Sequence, residues 1–546
     1  MNKNKFQQNR YRIFIALFIF AITFSIVFIT EKDIGITWDE IYLNDDAARI
    51  YVEWIKEAYK GILSGNFDFL SKTVIDKYFG AISDGGRINW HPPFARIIGG
   101  ISWKFFTPYL GEMKAYRLPS ALFFSLEAML IFLILSRFFS ISAGLLSVFS
   151  FILMPRVFAH SHIFALDTPV SAMWLLTIYA FIKGLDDEKW AIFTGFIFGL
   201  ALSTKIHSAL IPLSIAIWFL MTRNKRIWKN ILSITLFSLP TFILSWPWLW
   251  YDTFARIFSF EDDQIGDLTS NFKVTYYLGK SLASSMPWHY VSVMFLSTIP
   301  PLILLAFFYG IYITVKKNLN FINGENKERK EKWDIALLLL SNAVIMLAVA
   351  SAPGIPKYDG VRLFLPAFPF TASIAGIGFH YIIKNFFKKE WLKYLAGLLY
   401  IVFPLISLIR VHPYELSYYN ILVGGIEGAK KIGLETTYWG DAFNRDFLKV
   451  IEKKYSTKKI LYCGLPQKKR QLKFYYRNGL VAKSILDNAT CSSDAFKNEG
   501  YYDYLVLNCR QGVFKKLEWF YYNFLKPEYN TILDGVPLIS IYKSPF

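Results

Sequence analysis

Apolar residues in this chain come in long runs separated by short polar links, and the runs are close to the roughly 20 residues that cross a bilayer as a helix. The first run, residues 13–30, follows a basic start containing Lys3, Lys5, Arg10 and Arg12. No small-residue cleavage pattern comes after it, which predicts an uncleaved first span with its N-terminus inside. Ten more runs follow, at residues 118–135, 138–153, 163–182, 190–202, 209–221, 231–250, 291–315, 335–350, 364–383 and 395–409. The pattern therefore predicts about eleven spans, and alternation across them places nearly every Lys/Arg-rich link on one side, as the positive-inside rule requires. The link 316–332 is the most basic.

Two regions break the pattern. Residues 31–116 form a long outer loop of mixed polar and aromatic character, with helical periodicity near residues 47–63 that suits helices lying along the membrane surface. After Arg410 short apolar runs appear, such as Lys459-Ile460-Leu461-Tyr462-Cys463, Tyr504-Leu505-Val506-Leu507 and Pro537-Leu538-Ile539-Ser540-Ile541. These read as buried strands, and residues 445–454 have helical spacing. The expected architecture is an all-α polytopic membrane domain over residues 1–411 and a soluble α/β domain over 412–546 on the outer face, the latter within ordinary domain size at about 130 residues.

Composition fits that reading: 54% of the 546 residues are hydrophobic and 18% aromatic. The formal charge of +19 does not indicate nucleic acid, because the Lys and Arg residues sit in the links between apolar runs. Cys463, Cys491 and Cys509 all lie in the tail without a C-x-x-C pair. One disulfide among them and three unpaired small hydrophobes both fit.

Ionisable residues at the edges of apolar spans are costly and mark candidate function. On the outer side these are Asp39, Glu40, His91, Arg96, Arg117, Arg156, Asp167, Lys205, Lys357 and Arg362: acids set in a cationic rim of the kind that holds a phosphate-bearing substrate. Each has a plain alternative. Arg117 and Lys205 fit as snorkelling interface residues, Asp39 fits as a helix N-cap, and His91 before Pro92-Pro93 fits as a turn into a helix. His160 and His162 form an H-x-H pair without a located third ligand. The acidic run Glu261-Asp262-Asp263 reads as a solvated loop.

Taken in order, Trp38-Asp39-Glu40, His91-Pro92-Pro93-Phe94-Ala95-Arg96, Arg117-Leu118-Pro119-Ser120, Leu166-Asp167-Thr168-Pro169, Ser203-Thr204-Lys205 and Arg362-Leu363-Phe364-Leu365-Pro366 resemble the protein O-mannosyltransferases and the aminoarabinose transferases of lipid A. Both are GT-C membrane glycosyltransferases. The resemblance covers the chain to about Arg410 and implies a polyprenyl-monophosphate-linked sugar as donor, with the active site on the outer face of a bacterial plasma membrane. It implies Asp39 acting at the acceptor with support from Glu40. His91, Arg96, Arg117, Lys205 and Arg362 are then candidates for the donor phosphate, and Asp167 positions a neighbouring Arg. A single displacement with inversion follows from one catalytic carboxylate. The acceptor is an extracytoplasmic protein hydroxyl, a glycolipid or an envelope polysaccharide. No D-x-D motif is present, so a divalent metal is compatible with the sequence but not implied; the resemblance does not assign positions here to the zinc ligands described for the aminoarabinose transferases.

The chain departs from these families in two respects. Arg96 stands where the mannosyltransferases usually have Lys, and the long repeated sugar-binding domain is replaced by a tail beginning His412-Pro413-Tyr414-Glu415 and containing Tyr438-Trp439-Gly440-Asp441. The aromatics and glycines of that tail fit either binding of acceptor or sugar or docking of the tail on the membrane domain, and docking is the favoured expectation. A transporter of polyprenyl-linked sugars and a non-catalytic homologue are the rival readings. Paired halves with matched broken spans, the mark of many transporters, are not evident in the sequence.

Overall fold

The computed structural model describes residues 3–83, 86–87, 91–268, 274–283, 286–321, 327–464, 468–490 and 502–545. Every apolar run of the sequence contains helix. Among the described residues, seven helical stretches are long and apolar enough to cross a membrane: Asn9–Asp33, Glu112–Phe138, Lys225–Ser245, Pro301–Asn320, Lys330–Ser351, Arg362–Phe386 and Glu390–Val411. The runs behind the remainder of the expected eleven hold shorter helices, Ile141–Ile152, Asp167–Gly184, Glu188–Leu202 and Ile211–Thr222. At 1.5 Å per residue a twelve-residue helix extends only about 18 Å, short of the roughly 30 Å hydrocarbon layer. One expected span, 291–315, is two helices, Tyr290–Thr298 and Pro301–Phe321. Pro300 and Pro301 interrupt it, because proline offers no N–H and restricts the residue before it.

Burial sorts these helices into layers. The Arg362–Phe386 stretch is central, with 83% of its apolar window buried, whereas Glu390–Val411 is peripheral at 17%. The central position needs small residues where helix backbones meet. A Cβ on Gly378 would lie 1.9 Å from the Ala306 carbonyl oxygen and 2.6 Å from the Gly310 nitrogen.

The expected surface helix is Asp45–Ser64, joined by a second, Phe94–Leu110. Ala47, Ala48, Tyr51 and Val52 face inward, while Tyr59, Ile62, Leu63, Phe105, Phe106 and Tyr109 are exposed, the division expected of amphipathic helices at an interface. The acidic run at 261–263, expected in a loop, belongs to the helix Thr253–Leu268. Asn89 and Trp90, which precede the motif beginning at His91, lie outside the described residues.

Beyond Val411 the chain runs through a largely buried irregular segment to the helix Arg445–Tyr455, whose N-terminus is capped by Asn444. A five-stranded mixed sheet follows in the order Ala489–Thr490, Ile460–Cys463, Tyr504–Asn508, Val536–Lys543, Tyr529–Leu533. The first three strands are parallel and the last two pairings antiparallel, with Leu461 opposite Leu505 and Val506 opposite Ile541. Asp534 and Gly535, both at positive φ (46° and 79°), close the final hairpin in the way a two-residue turn requires. Cys463 and Cys509 are buried and are not joined to each other; Cys491 lies outside the described residues.

The tail is fastened to the membrane domain along the first loop. Gly35 N–H donates to the Asp441 carbonyl (3.1 Å) and Trp38 N–H to the Trp439 carbonyl (3.2 Å). Tyr475 hydroxyl accepts from Ile36 N–H and donates to the Phe443 carbonyl, each at 2.7 Å. Arg477 pairs with Glu112 (2.8 Å) and Asp45 (3.2 Å), and Arg470 pairs with Asp46. On the other side, Arg156 donates to the Tyr418 carbonyl (3.0 Å) and lies 4.5 and 4.9 Å from the Tyr419 and Tyr438 rings. The tail aromatics therefore do dock it, through cation–π contacts that strengthen when desolvated.

Gly35 has no room for a side chain, since its Cβ would lie 2.2 Å from the Asp441 carbonyl oxygen. Gly35→Ala should loosen the tail: a lower thermal midpoint in detergent and faster protease cleavage within residues 412–546. A cleavage rate equal to wild type would contradict this docking.

Candidate active site

The site is built where the first loop, four helix ends and the tail meet. Its entry point is the extended stretch leading to Asp39, followed by one wide helical turn, Glu40–Asn44, that runs into Asp45–Ser64. Glu40 holds that turn. It accepts hydrogen bonds from Thr37 N–H (2.7 Å), Thr37 hydroxyl (3.1 Å) and Phe164 N–H (2.9 Å). Arg117 grips both carboxylate oxygens, Nε at 2.8 Å and Nη2 at 2.9 Å.

Arg117, expected at the donor phosphate, is placed differently. Its remaining donors reach the carbonyls of Glu31 (3.1 Å), Ile34 (2.9 Å) and Gly35 (2.9 Å) and the Glu31 carboxylate (3.3 Å). A guanidinium has five N–H groups in a fixed fork, and here they all point into the chain that carries Asp39. Arg117 holds the Asp39 loop in shape.

Asp39 faces the other way, into a buried cluster centred on Arg362. Arg362 Nη2 lies 2.5 Å from Asp39 Oδ2, Nη1 lies 3.0 Å from Asp359 Oδ2, and Nε lies 3.4 Å from Asp167 Oδ2. Lys205 Nζ takes the other Asp167 oxygen at 2.7 Å, which places Asp167 between two cations. The Arg362 guanidinium lies 4.3 Å from the Trp439 ring, and the Trp439 indole N–H donates to Asp359 at 2.9 Å. Arg510, from the tail, binds the second Asp359 oxygen at 2.7 Å.

Burial raises the Asp39 carboxyl above the usual carboxylate range, against the opposing pull of Arg362; Asp359 and Asp167 add to the rise. Burial acts on Asp359 in the same sense, but Arg510 and Arg362 outweigh it and the group is lowered. The two carboxylates share one guanidinium and are driven in opposite directions by the number of cations each holds.

His91 and Arg96 flank the cluster. Phe94 N–H donates to the Ser203 carbonyl at 3.0 Å, which ties the His91-Pro92-Pro93 turn to the Ser203-Thr204-Lys205 turn. His91 is held neutral by burial, with Arg96, Lys205, His207 and Arg362 adding to the effect. Arg96 is 1% exposed and donates to Asn44 at 3.0 Å. Asp39, Asp167, Lys205 and Arg362 thus form one ion-paired group with His91 and Arg96 beside it, and Glu40 with Arg117 behind it.

The H-x-H pair does not act as a unit. Both His162 nitrogens have partners, Phe158 carbonyl and Thr30 hydroxyl, each at 2.8 Å, while His160 packs edge-on to Trp439 at 5.3 Å. Among the described residues no three His, Cys, Asp or Glu side chains form a group that would hold a metal. Lys357 caps carbonyls of Ala352 (2.7 Å) and Ile355 (3.0 Å). Asp359, Trp439 and Arg510 were not among the residues singled out from sequence as site candidates. The first had a signal: Asp359-Gly360 stands just before Arg362, and both residues are at positive φ (53° and 70°), the conformation of a tight turn.

Fold and site together define a polytopic membrane protein with a buried carboxylate–guanidinium centre at one end of its helix bundle. Residues 90–251 match the family model described as dolichyl-phosphate-mannose-protein mannosyltransferase. The chain is similar in fold to ArnT from Cupriavidus metallidurans in the apo state, with 14% identity, 96% of this chain and 97% of that one covered, and a TM-score of 0.52. ArnT bound to undecaprenyl phosphate superposes with a TM-score of 0.49 at the same identity and coverage. The apo oligosaccharyltransferase of Archaeoglobus fulgidus aligns at 11% identity over 85% of this chain and 60% of that one, TM-score 0.45. No curated protein matches in sequence. The architecture is the GT-C fold of membrane glycosyltransferases with a small C-terminal sheet.

Removing one partner of a buried ion pair leaves the other charge without compensation and costs about 3–5 kcal/mol. Arg117→Ala should therefore lower the thermal midpoint sharply. Adding Glu40→Gln to it should lower the midpoint by much less than the two single effects combined. Additive losses would show that the pair does not hold the loop.

Proposed function

We propose that the protein is an integral membrane glycosyltransferase that moves a single sugar from a polyprenyl-monophosphate donor to an extracytoplasmic hydroxyl. The N-terminus lies in the cytoplasm, and the site and tail lie on the outer side of a bacterial plasma membrane. The observation that carries this reading is the placement of Asp39: a buried carboxylate, held at 2.5 Å by Arg362, in the same cluster as Lys205 and beside Arg96 and His91.

Asp39 takes the proton of the acceptor hydroxyl as its oxygen attacks the anomeric carbon. The bond from that carbon to the phosphate oxygen breaks, and the electron pair leaves with the polyprenyl phosphate. A carboxylate lifted above its ordinary pKa is better matched to this task than an exposed one. Negative charge around the site also favours the oxocarbenium character that builds during attack. The leaving phosphate needs cations and no acid: Lys205 and Arg96 are assigned to it, with neutral His91 beside them as a hydrogen-bonding neighbour and Arg362 shared between the phosphate side and Asp39. Arg117 leaves that set, because its donors serve Glu40 and the loop. One direct displacement by the acceptor oxygen, with one carboxylate as base, gives inversion.

The acceptor class is a protein Ser or Thr hydroxyl, an envelope glycolipid or a polysaccharide. The rival transporter reading shares the apolar exterior and the cations but gives Asp39 no task. Supplying undecaprenyl-phosphate-linked sugars and envelope extract to the protein in liposomes separates the two. Transfer by wild type with a loss of about a hundredfold or more in Asp39→Asn supports the enzyme. Movement of the lipid across the bilayer by both proteins without transfer contradicts it.

The pH dependence carries a sign. The base works deprotonated, so transfer should fall as pH drops through the raised Asp39 pKa, above the roughly 3.9 of a free Asp. Rates measured in liposomes between pH 4 and 8 should show this acid limb; a flat profile would remove Asp39 as the base.

A further inference from the structure

The tail domain reaches into the charge cluster with one side chain. Arg510 follows the central strand Tyr504–Asn508, and its side chain is 6% exposed. Its Nη2 lies 2.7 Å from Asp359 Oδ1, while Asp359 Oδ2 faces Arg362 Nη1 at 3.0 Å and the Trp439 indole at 2.9 Å. Each oxygen of Asp359 is therefore held by a different cation, one from the membrane domain and one from the tail. On its far side Arg362 holds Asp39 at 2.5 Å.

We propose that Arg510 is a positioning residue of the transfer site: by holding Asp359 it sets how Arg362 is divided between Asp359 and Asp39, so that the C-terminal domain completes the catalytic centre. The inference rests on the reading of Asp39 as the base.

The argument follows from burial and charge. Asp359, with its side chain 2% exposed, sits where charge–charge attraction is strong and an unpaired carboxylate is expensive. The charged or titratable groups facing it are Arg362, Arg510, Asp39, Glu435 and Tyr290. With Arg510 neutralised, Arg362 is the cation left to it. Arg362 is then drawn toward Asp359 and away from Asp39. The groups facing Asp39 are Arg362, Asp359, Asp167, Arg96 and Lys205, and Arg362 is the largest of the influences that keep it charged. Weakening that contact raises Asp39 further. Removing the charge of Asp359 at the same time returns Arg362 to Asp39.

Two measurements on the full-length protein test this. The first needs no turnover: thermal midpoints in detergent for wild type, Asp39→Asn, Arg510→Gln and the double variant. Asp39 and Arg510 are not in contact, so independent sites would give additive shifts, whereas the relay predicts that the double shift departs from their sum. Additive shifts overturn it.

The second is the acid limb of transfer, measured with the undecaprenyl-phosphate-linked sugar that wild type consumes. The limb should move to higher pH in Arg510→Gln, move less in Arg510→Lys, and return to or below wild type in Asp359→Asn/Arg510→Gln. Arg477→Gln, which breaks tail contacts to Glu112 and Asp45 instead, should leave it in place. A limb that stays at its wild-type position in Arg510→Gln overturns the positioning role. If Asp39→Asn transfers sugar normally, the base assignment fails, and the midpoint cycle still decides whether the two sites are coupled.

Discussion

The arrangement depends on one fact of chemistry: an arginine in a protein does not give up its proton. Arg362 sits at the head of the most central apolar helix with a side chain 11% exposed, so it must be surrounded by compensating charge. Asp39, Asp167 and Asp359 supply that charge from three separate parts of the chain, and Lys205 and Arg510 balance the excess. A single guanidinium thereby brings together the first loop, two helix ends and the C-terminal tail. Neutrality of the cluster is a folding requirement, and the same requirement brings the Asp39 carboxylate into the buried cluster.

The layers around the cluster follow from that demand. Helices shorter than the membrane end at the site and leave their termini, with Asp167 and Lys205, inside the protein. The loop before Asp39 has no regular structure of its own, so its backbone groups are satisfied by Arg117, by Tyr475 and Gln471, and by strand-like pairing with residues 439–441. That arrangement explains why the tail cannot be a loosely tethered module. It supplies hydrogen bonds that the loop lacks, the aromatic face beneath Arg362, and the second cation on Asp359.

Much of this was legible in the sequence, for identifiable reasons. Span-length apolar runs and basic links mark a polytopic helical protein directly, and short β-branched runs in the tail mark strands that the sheet contains. Asp39, Asp167, Lys205 and Arg362 stood out because a charge at the edge of an apolar run has few bland explanations. Other features were hidden. A run of twelve apolar residues reads the same whether it lines a bundle core or crosses a membrane, so the pattern marks the helices without fixing how many of them span. Arg117 carries the same charge as a phosphate ligand would, and nothing local shows that its partners are 77 and 86 positions earlier. Arg510 finds Asp359 across 151 positions, a distance at which no spacing pattern exists to be read.

The central claim is that the acceptor oxygen makes a single displacement at the anomeric carbon with one carboxylate as its base. The anomeric configuration of the product, read from the proton coupling constant at that carbon and compared with that of the donor, tests it most directly. Inversion is the predicted result. Retention would require a covalent sugar intermediate on the enzyme or a second catalytic group, and would contradict the account.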